Sequence, residues 1–156
     1  MIPILIATHG GLAKAYFETA ELLAGSITDV YTIGLYHEDS VDEFANSIEK
    51  IITDNEHLLI FVDILGGSPC ISVAKNIKKG LDCECIVGVN LPLFLEALTS
   101  RGSLQSARQL KEIILEFKDE SILDLKKLWL DISKNCKLRI LHAFLSFTVF
   151  LYLTNL

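Results

Sequence analysis

The sequence is poor in basic residues, cysteine and proline, and each shortage excludes something. Fourteen Lys and Arg stand against twenty Asp and Glu, a formal net charge of −6. Duplex nucleic acid is therefore not an expected partner, because phosphate contact needs clustered Lys and Arg. An acidic surface suits a basic protein partner, chiefly through the association rate. The four cysteines, Cys70, Cys83, Cys85 and Cys136, contain no Cys-x-x-Cys pair and no His at ligand spacing, so no metal site is expected. Cys83 and Cys85 are expected on opposite faces of a strand. Reduced thiols in the cytoplasm are the simple reading. With three prolines there is no Pro-rich linker to divide the chain. No basic segment precedes the first apolar run, so a secretory signal is not expected. No glycine loop ends in Gly-Lys-Ser/Thr, so a nucleotide is not implied and no cofactor is expected.

Apolar residues are plentiful, 51% of 156, enough for one domain with a substantial core. The run Ile2–Ala7 stops at Thr8-His9-Gly10-Gly11, which reads as a buried parallel strand turning at once into a helix. Leu12, Tyr16, Ala20 and Leu23 recur at helical spacing up to Gly25. Val30–Leu35 is a second strand, and Ser40 with Glu43 forms a capping box for a helix that buries Phe44, Ile48, Ile51 and Ile52. Leu58–Val62 is a third strand. Gly66-Gly67-Ser68-Pro69 opens a helix expected to turn Ile71, Ala74 and Ile77 inward, with Gly80 as its cap. Cys83–Val89 is a fourth strand, then helices run over 93–98 and 103–118. This alternation predicts an α/β fold: an open, mostly parallel four-stranded sheet with right-handed crossovers and helices on both faces.

The carboxyl-terminal part is different. Residues 1–128 hold 11 basic and 19 acidic residues, whereas 129–156 hold 3 and 1. Ser121–Leu128 is expected as a last strand, and Ile140–Leu156 carries no charge. That run is at the lower limit for a membrane span. A segment buried against another subunit, a membrane-touching tail and a sequence foreign to the rest all fit it; the first is favoured.

In a parallel sheet the carboxyl ends of all strands share one edge, the place where open α/β sheets bind ligands. Here that edge gathers His9, Asp63, the Gly66–Ser68 loop and Asn90. A neutral imidazole can be a nucleophile if its proton is held on the other nitrogen, and a carboxylate does that while stabilising the positive charge that develops. Asp63 is the acid placed for it; a dipole-facing or capping carboxylate is the plainer reading. Backbone amides of Gly66, Gly67 and Ser68 at a helix N-terminus suit phosphoryl oxygens, and the Ser68 hydroxyl adds a donor. Thr8 is expected to add another hydroxyl, or else to be an ordinary strand-end threonine. Gly10 and Asn90 are expected on the rim. His37 reads as a solvated loop residue, His57 belongs to the opposite edge, and His142 lies in the tail.

Three motifs, Ile6-Ala7-Thr8-His9-Gly10, Val62-Asp63-Ile64-Leu65-Gly66-Gly67-Ser68-Pro69 and Gly88-Val89-Asn90-Leu91-Pro92-Leu93, carry a resemblance over about residues 1–120. With them the chain resembles the enzyme IIA proteins of the mannose/fructose/sorbose class of the bacterial sugar phosphotransferase system. The resemblance implies a cytoplasmic phosphohistidine carrier: His9 accepts a phosphoryl group from the phosphocarrier HPr and passes it to a IIB component, and Asp63 hydrogen-bonds the other imidazole nitrogen. It implies a homodimer with room for a fifth, carboxyl-terminal strand exchanged between subunits, and membrane contact only through the transporter. Residues 1–128 then form the IIA domain and 129–156 an atypical apolar tail, which departs from the family's ending. Two alternatives remain: a non-catalytic regulatory or docking module, and the related phosphotransferase subunit of a dihydroxyacetone kinase, which looks less like this chain at the Gly-Gly-Ser-Pro loop. A receiver domain fits poorly, because the first strand ends in Thr-His, not an acidic pair.

Overall fold

The computed structural model describes residues 1–134. The chain divides into two compact units, Met1–Lys118 and Asp119–Leu156. In the first, strands β1 (Ile4–His9), β2 (Val30–Leu35), β3 (Leu58–Val62) and β4 (Cys83–Val87) alternate with helices α1 (Leu12–Ala24), α2 (Val41–Asp54) and α3 (Ser68–Lys78). Helices α4 (Leu91–Ser100) and α5 (Ala107–Phe117) follow. The sheet order is β2-β1-β3-β4 with every pair parallel, the doubly wound arrangement that the alternation predicts.

Strand periodicity sorts the core into two layers. Ile4, Ile6, Leu59, Phe61 and Ile86 pack with α1, α4 and α5 through Ala13, Ala20, Phe94, Leu110 and Ile114. Leu5, Ala7, Leu58, Ile60 and Val62 pack on the other face with Phe44, Ile48 and Ile52 of α2 and Val73 of α3. Because both faces are covered, β3 and the Ile4–Ala7 part of β1 are apolar without alternation. Ser40 caps α2 as its sequence predicts, accepting from the Glu43 amide at 3.3 Å.

Several expectations are corrected. Helix α3 turns Ile71, Ala74 and Ile77 outward and buries Ser72, Val73 and Asn76. Asn76 donates from Nδ2 to the Ala45 carbonyl at 3.2 Å, so a polar tie to α2 outweighs the apolar spacing. Leu12 is exposed while Ala13 takes the inward position. Strand β4 stops at Val87, because Gly88 at φ +92° turns the chain away. Cys83 and Cys85 share one face, with Cys70, against the α2–α3 layer; residues two apart on a strand point the same way. Burial, with Asp82 nearby, pushes the Cys83 thiol up to about 11, and burial pushes Cys85 up to about 12, so neither is a nucleophile at neutral pH.

Arg101, at the end of α4, is a feature the sequence hid. Its side chain is buried and donates to the carbonyls of Thr28 at 2.7 Å, Asp29 at 3.2 Å and Ile2 at 3.4 Å. It ties the chain leading into β1 and β2 to the far end of α4.

In the second unit, the segment 121–128 is not a strand. A 3-10 turn at Lys118–Glu120 is followed by helix α6 (Leu125–Lys134). Asp124 starts that helix by accepting from the Lys127 amide at 3.1 Å, a local cap that competes successfully with extended structure. Among the described residues there is no fifth strand; the rest of the expected tail, 135–156, lies outside them.

Candidate functional site

Parallel pairing sets Ala7 beside Val62, so the next residues to emerge from β1 and β3 meet at the carboxyl edge. His9 and Asp63, 54 positions apart, are joined twice there. The His9 backbone N–H donates to Asp63 Oδ2 at 2.8 Å, and the same oxygen lies 2.7 Å from His9 Nδ1. The other carboxylate oxygen, Oδ1, accepts from the Ile64 amide at 2.9 Å.

These contacts settle the electrostatics. Burial pushes the Asp63 pKa up, but hydrogen bonds from the His9 backbone, the His9 ring and the Ile64 amide outweigh it and hold the carboxyl below its usual value. An ionised Asp63 has no proton to give, so Nδ1 of neutral His9 carries the hydrogen and Nε2 holds the lone pair. The His9 side chain is 42% exposed and that of Asp63 10%. Asp63 covers the Nδ1 side of the ring, and Gly67 packs against its Cε1 edge. A Cβ on Gly67 would sit 2.6 Å from His9 Cε1 and 3.3 Å from Nε2. The ring thus keeps two-fifths of its side-chain surface open although Asp63 lies at Nδ1 and Gly67 at the Cε1 edge.

The Gly66–Ser68 loop is thus brought to the ring. Gly66 turns at φ +78°, and Gly67 is the N-cap of α3, with Ser68 its half-buried first residue. The amides at that helix start make an anion-favouring end beside Nε2. Gly10 closes the β1 side at φ +55°, donating to the Leu35 carbonyl at 2.8 Å. Asn90 lies at the same edge, where its side-chain oxygen caps α4 by accepting from Leu93 at 3.0 Å.

Thr8 is the correction. It is fully buried and its Oγ1 accepts from the Ala13 amide at 2.8 Å, satisfying an orphan donor of α1. The hydroxyl lies under the turn, out of reach of a group on the solvent side. His37 is exposed in the loop after β2. His57 precedes β3 at the opposite edge.

Two contributors were not anticipated. A Cβ on Gly34, inside β2, would lie 2.1 Å from the Gly10 carbonyl oxygen, so only glycine lets the turn after His9 pass over β2. A glycine within an apolar strand is the available signal for such an approach. Tyr16 of α1 donates to the Val89 carbonyl at 3.0 Å. Its pKa is raised by burial and by the Asp63 charge. It clamps α1 to the loop after β4 beside the His–Asp pair. A core-facing helical tyrosine carries no signal of that in sequence.

Among the described residues no group of His, Cys, Asp and Glu is placed to hold a metal ion, and no helix is long and apolar enough to cross a membrane. The arrangement can perform nucleophilic attack by Nε2 on an electrophile whose oxygens face the start of α3.

Known proteins resemble the chain in sequence and in fold. Residues 3–115 match the family model described as PTS system fructose IIA component. The chain is similar to the mannose-specific EIIAB component of Escherichia coli (strain K12), at 30% identity over 129 residues, 80% of this chain and 40% of that protein. It therefore spans well under half the length of those EIIAB relatives. It is also similar to the fructose-specific EIIA component of Bacillus subtilis (strain 168), at 28% identity over 107 residues, 67% of this chain and 73% of that one. The crystal structure of a phosphotransferase system component EIIA from Streptococcus agalactiae superposes with a TM-score of 0.76 at 25% identity, covering 81% of this chain and 99% of that one.

Proposed function

Since the chain belongs to the PTS system fructose IIA component family, we propose that it carries phosphoryl groups between proteins of a sugar phosphotransferase system on His9. The donor in this reading is phospho-HPr and the acceptor a IIB component, both meeting the protein in the cytoplasm. One observation carries the proposal. The Asp63 carboxylate holds His9 Nδ1 at 2.7 Å while 42% of the His9 side chain stays open to a visitor.

The chemistry follows from that geometry. The Nε2 lone pair forms a bond to phosphorus in line with the donor's P–N bond, which breaks and returns its electron pair to the donor imidazole. The Nδ1 proton stays where it is, and the positive charge gained by the ring is stabilised by Asp63. Gly66, Gly67 and Ser68 receive the phosphoryl oxygens with amides and a hydroxyl. Such transfer depends mainly on positioning and electrostatics. Exposed apolar side chains on the flanking segments, Leu12, Tyr36, Ile64 and Leu65, suit a protein surface better than a small polar substrate. Gly10 and Asn90 belong to the rim of this site, and a homodimer remains part of the proposal.

Incubation with phosphorylated HPr tests it. An acid-labile, alkali-stable phosphoryl group should appear on His9 and be absent in His9→Ala. A mark that persists in that variant refutes the assignment. A phosphorylated protein that cannot pass its group to a IIB component would instead be a regulatory module.

A further inference from the structure

Asp63 lies one residue past Ala7–Val62, the last position at which β1 and β3 pair. The sheet ladder therefore brings its carboxylate near His9 without fixing it there. A second set of contacts fixes the end of β3. The Val62 carbonyl accepts from two amides of the loop after β4, Gly88 at 2.9 Å and Val89 at 3.1 Å. Gly88, at φ +92°, supplies the turn that lets two successive amides serve one acceptor. The Val89 carbonyl is taken in turn by the Tyr16 hydroxyl at 3.0 Å.

Resting on the carrier reading, we propose that Tyr16 is a positioning residue for phosphoryl transfer. Through Val89 and Val62 it holds the Asp63 carboxylate in register with the His9 ring. The path closes on itself. Helix α1 begins at Leu12, three residues after His9, and carries Tyr16 to Val89. Val89 is bonded to Val62, Val62 is joined by the chain to Asp63, and Asp63 meets His9 Nδ1 at 2.7 Å. The phenol ring packs against the core, a task that phenylalanine would do as well. Its hydroxyl is what the buried Val89 uses. Burial, and then the Asp63 charge, raise the Tyr16 pKa. The phenol is thus neutral at physiological pH and within electrostatic reach of the pair, a donor and not an acid or base. A residue that only braced α1 against α4 would stabilise the fold and leave the chemistry alone.

A double-mutant cycle on the full chain separates the two roles. Tyr16→Phe keeps the ring and deletes the hydroxyl. At saturating phospho-HPr its maximal transfer rate should fall roughly fivefold, the worth of one hydrogen bond. The half-saturating concentration of phospho-HPr should not move, because the hydroxyl is spent inside the protein. In an Asp63→Ala background the same substitution should change the rate by less than about twofold, since the group it acts through is gone. A wild-type maximal rate in Tyr16→Phe overturns the proposal, and so does a full loss that persists without Asp63. A second readout needs no donor protein. The His9 Nδ1 proton, covered by Asp63, should exchange with water about fivefold faster in Tyr16→Phe by nitrogen-15 NMR; unchanged exchange also overturns the proposal. If the wild type takes no phosphoryl group from phospho-HPr, the carrier reading fails by itself, and proton exchange still decides whether Tyr16 holds the pair.

Discussion

Replacing Asp63 by asparagine and by alanine separates the two tasks assigned to its carboxylate. Oδ2 serves two donors, the His9 backbone at 2.8 Å and Nδ1 at 2.7 Å, whereas Oδ1 serves only the Ile64 amide at 2.9 Å. An asparagine has one acceptor oxygen. With that oxygen toward His9, a single donor–donor conflict arises, at Ile64; the flipped amide creates two. Asp63→Asn therefore keeps the imidazole tautomer and angle and loses only the negative charge. A hydrogen bond to a charged group exceeds a neutral one by about 1–2 kcal/mol, so transfer should slow roughly 5- to 30-fold. Asp63→Ala also releases the tautomer and the ring orientation, and should slow transfer by roughly 100- to 1,000-fold. The assay is the initial rate of phosphoryl transfer from phospho-HPr to each variant. An alanine variant as fast as the asparagine one, or an asparagine variant as slow as alanine, refutes the division of labour. Stability against pH gives an independent check. A carboxyl held below its usual pKa contributes stability that is present above the unfolded-state value and is lost as pH falls through the folded one. The wild type should therefore lose its advantage over Asp63→Asn below roughly pH 4, and the two curves should converge in acid.

Other residues give sharper local tests. Gly67→Ala suits the backbone at φ −69° and ψ 160° but drives a Cβ to 2.6 Å from His9 Cε1. Stability should fall by only about 1–2 kcal/mol, and transfer by about 100-fold, the scale of a 1 Å misplacement; wild-type transfer would show that the ring does not rest on Gly67. Thr8→Val removes the acceptor of the Ala13 amide. It should cost about 1–2 kcal/mol in thermal or denaturant unfolding and leave transfer on folded protein unchanged; a large rate loss would return Thr8 to phosphoryl binding. Arg101→Met strips the donor from the Thr28, Asp29 and Ile2 carbonyls. Denaturant unfolding should register a loss of about 3 kcal/mol, and a neutral result would mean that water replaces the guanidinium at no cost.

The elements of the first unit were legible because their signals are local. An all-apolar run marks a doubly covered strand at Ile4–Ala7 and at Leu58–Val62, and Ser40 with Glu43 marks a helix start. The residue types at the strand ends were legible too, since every parallel strand delivers its carboxyl end to one edge. The second unit was read less well. Ser121–Leu128 is short and of mixed pattern, and the Asp124 cap that makes its latter part helical is a single side chain weighed against a run of leucines.

What the sequence by itself determined is which groups arrive at the edge: an imidazole, a carboxylate and a glycine loop at a helix start. Only the tertiary structure decided which of them touch. β1 lies directly beside β3, with Ala7 against Val62, and this pairing brings Asp63 onto His9 Nδ1. The path of the turn over Gly34 carries the chain into α1, where the Thr8 hydroxyl is taken up by the Ala13 amide. The crossing of α3 over α2 buries Asn76 and leaves Ile71 and Ile77 outside. The physical reason is range. Caps and periodicity act over about four residues along the chain, whereas a hydrogen bond between positions 9 and 63 exists only after a whole sheet has chosen its strand order.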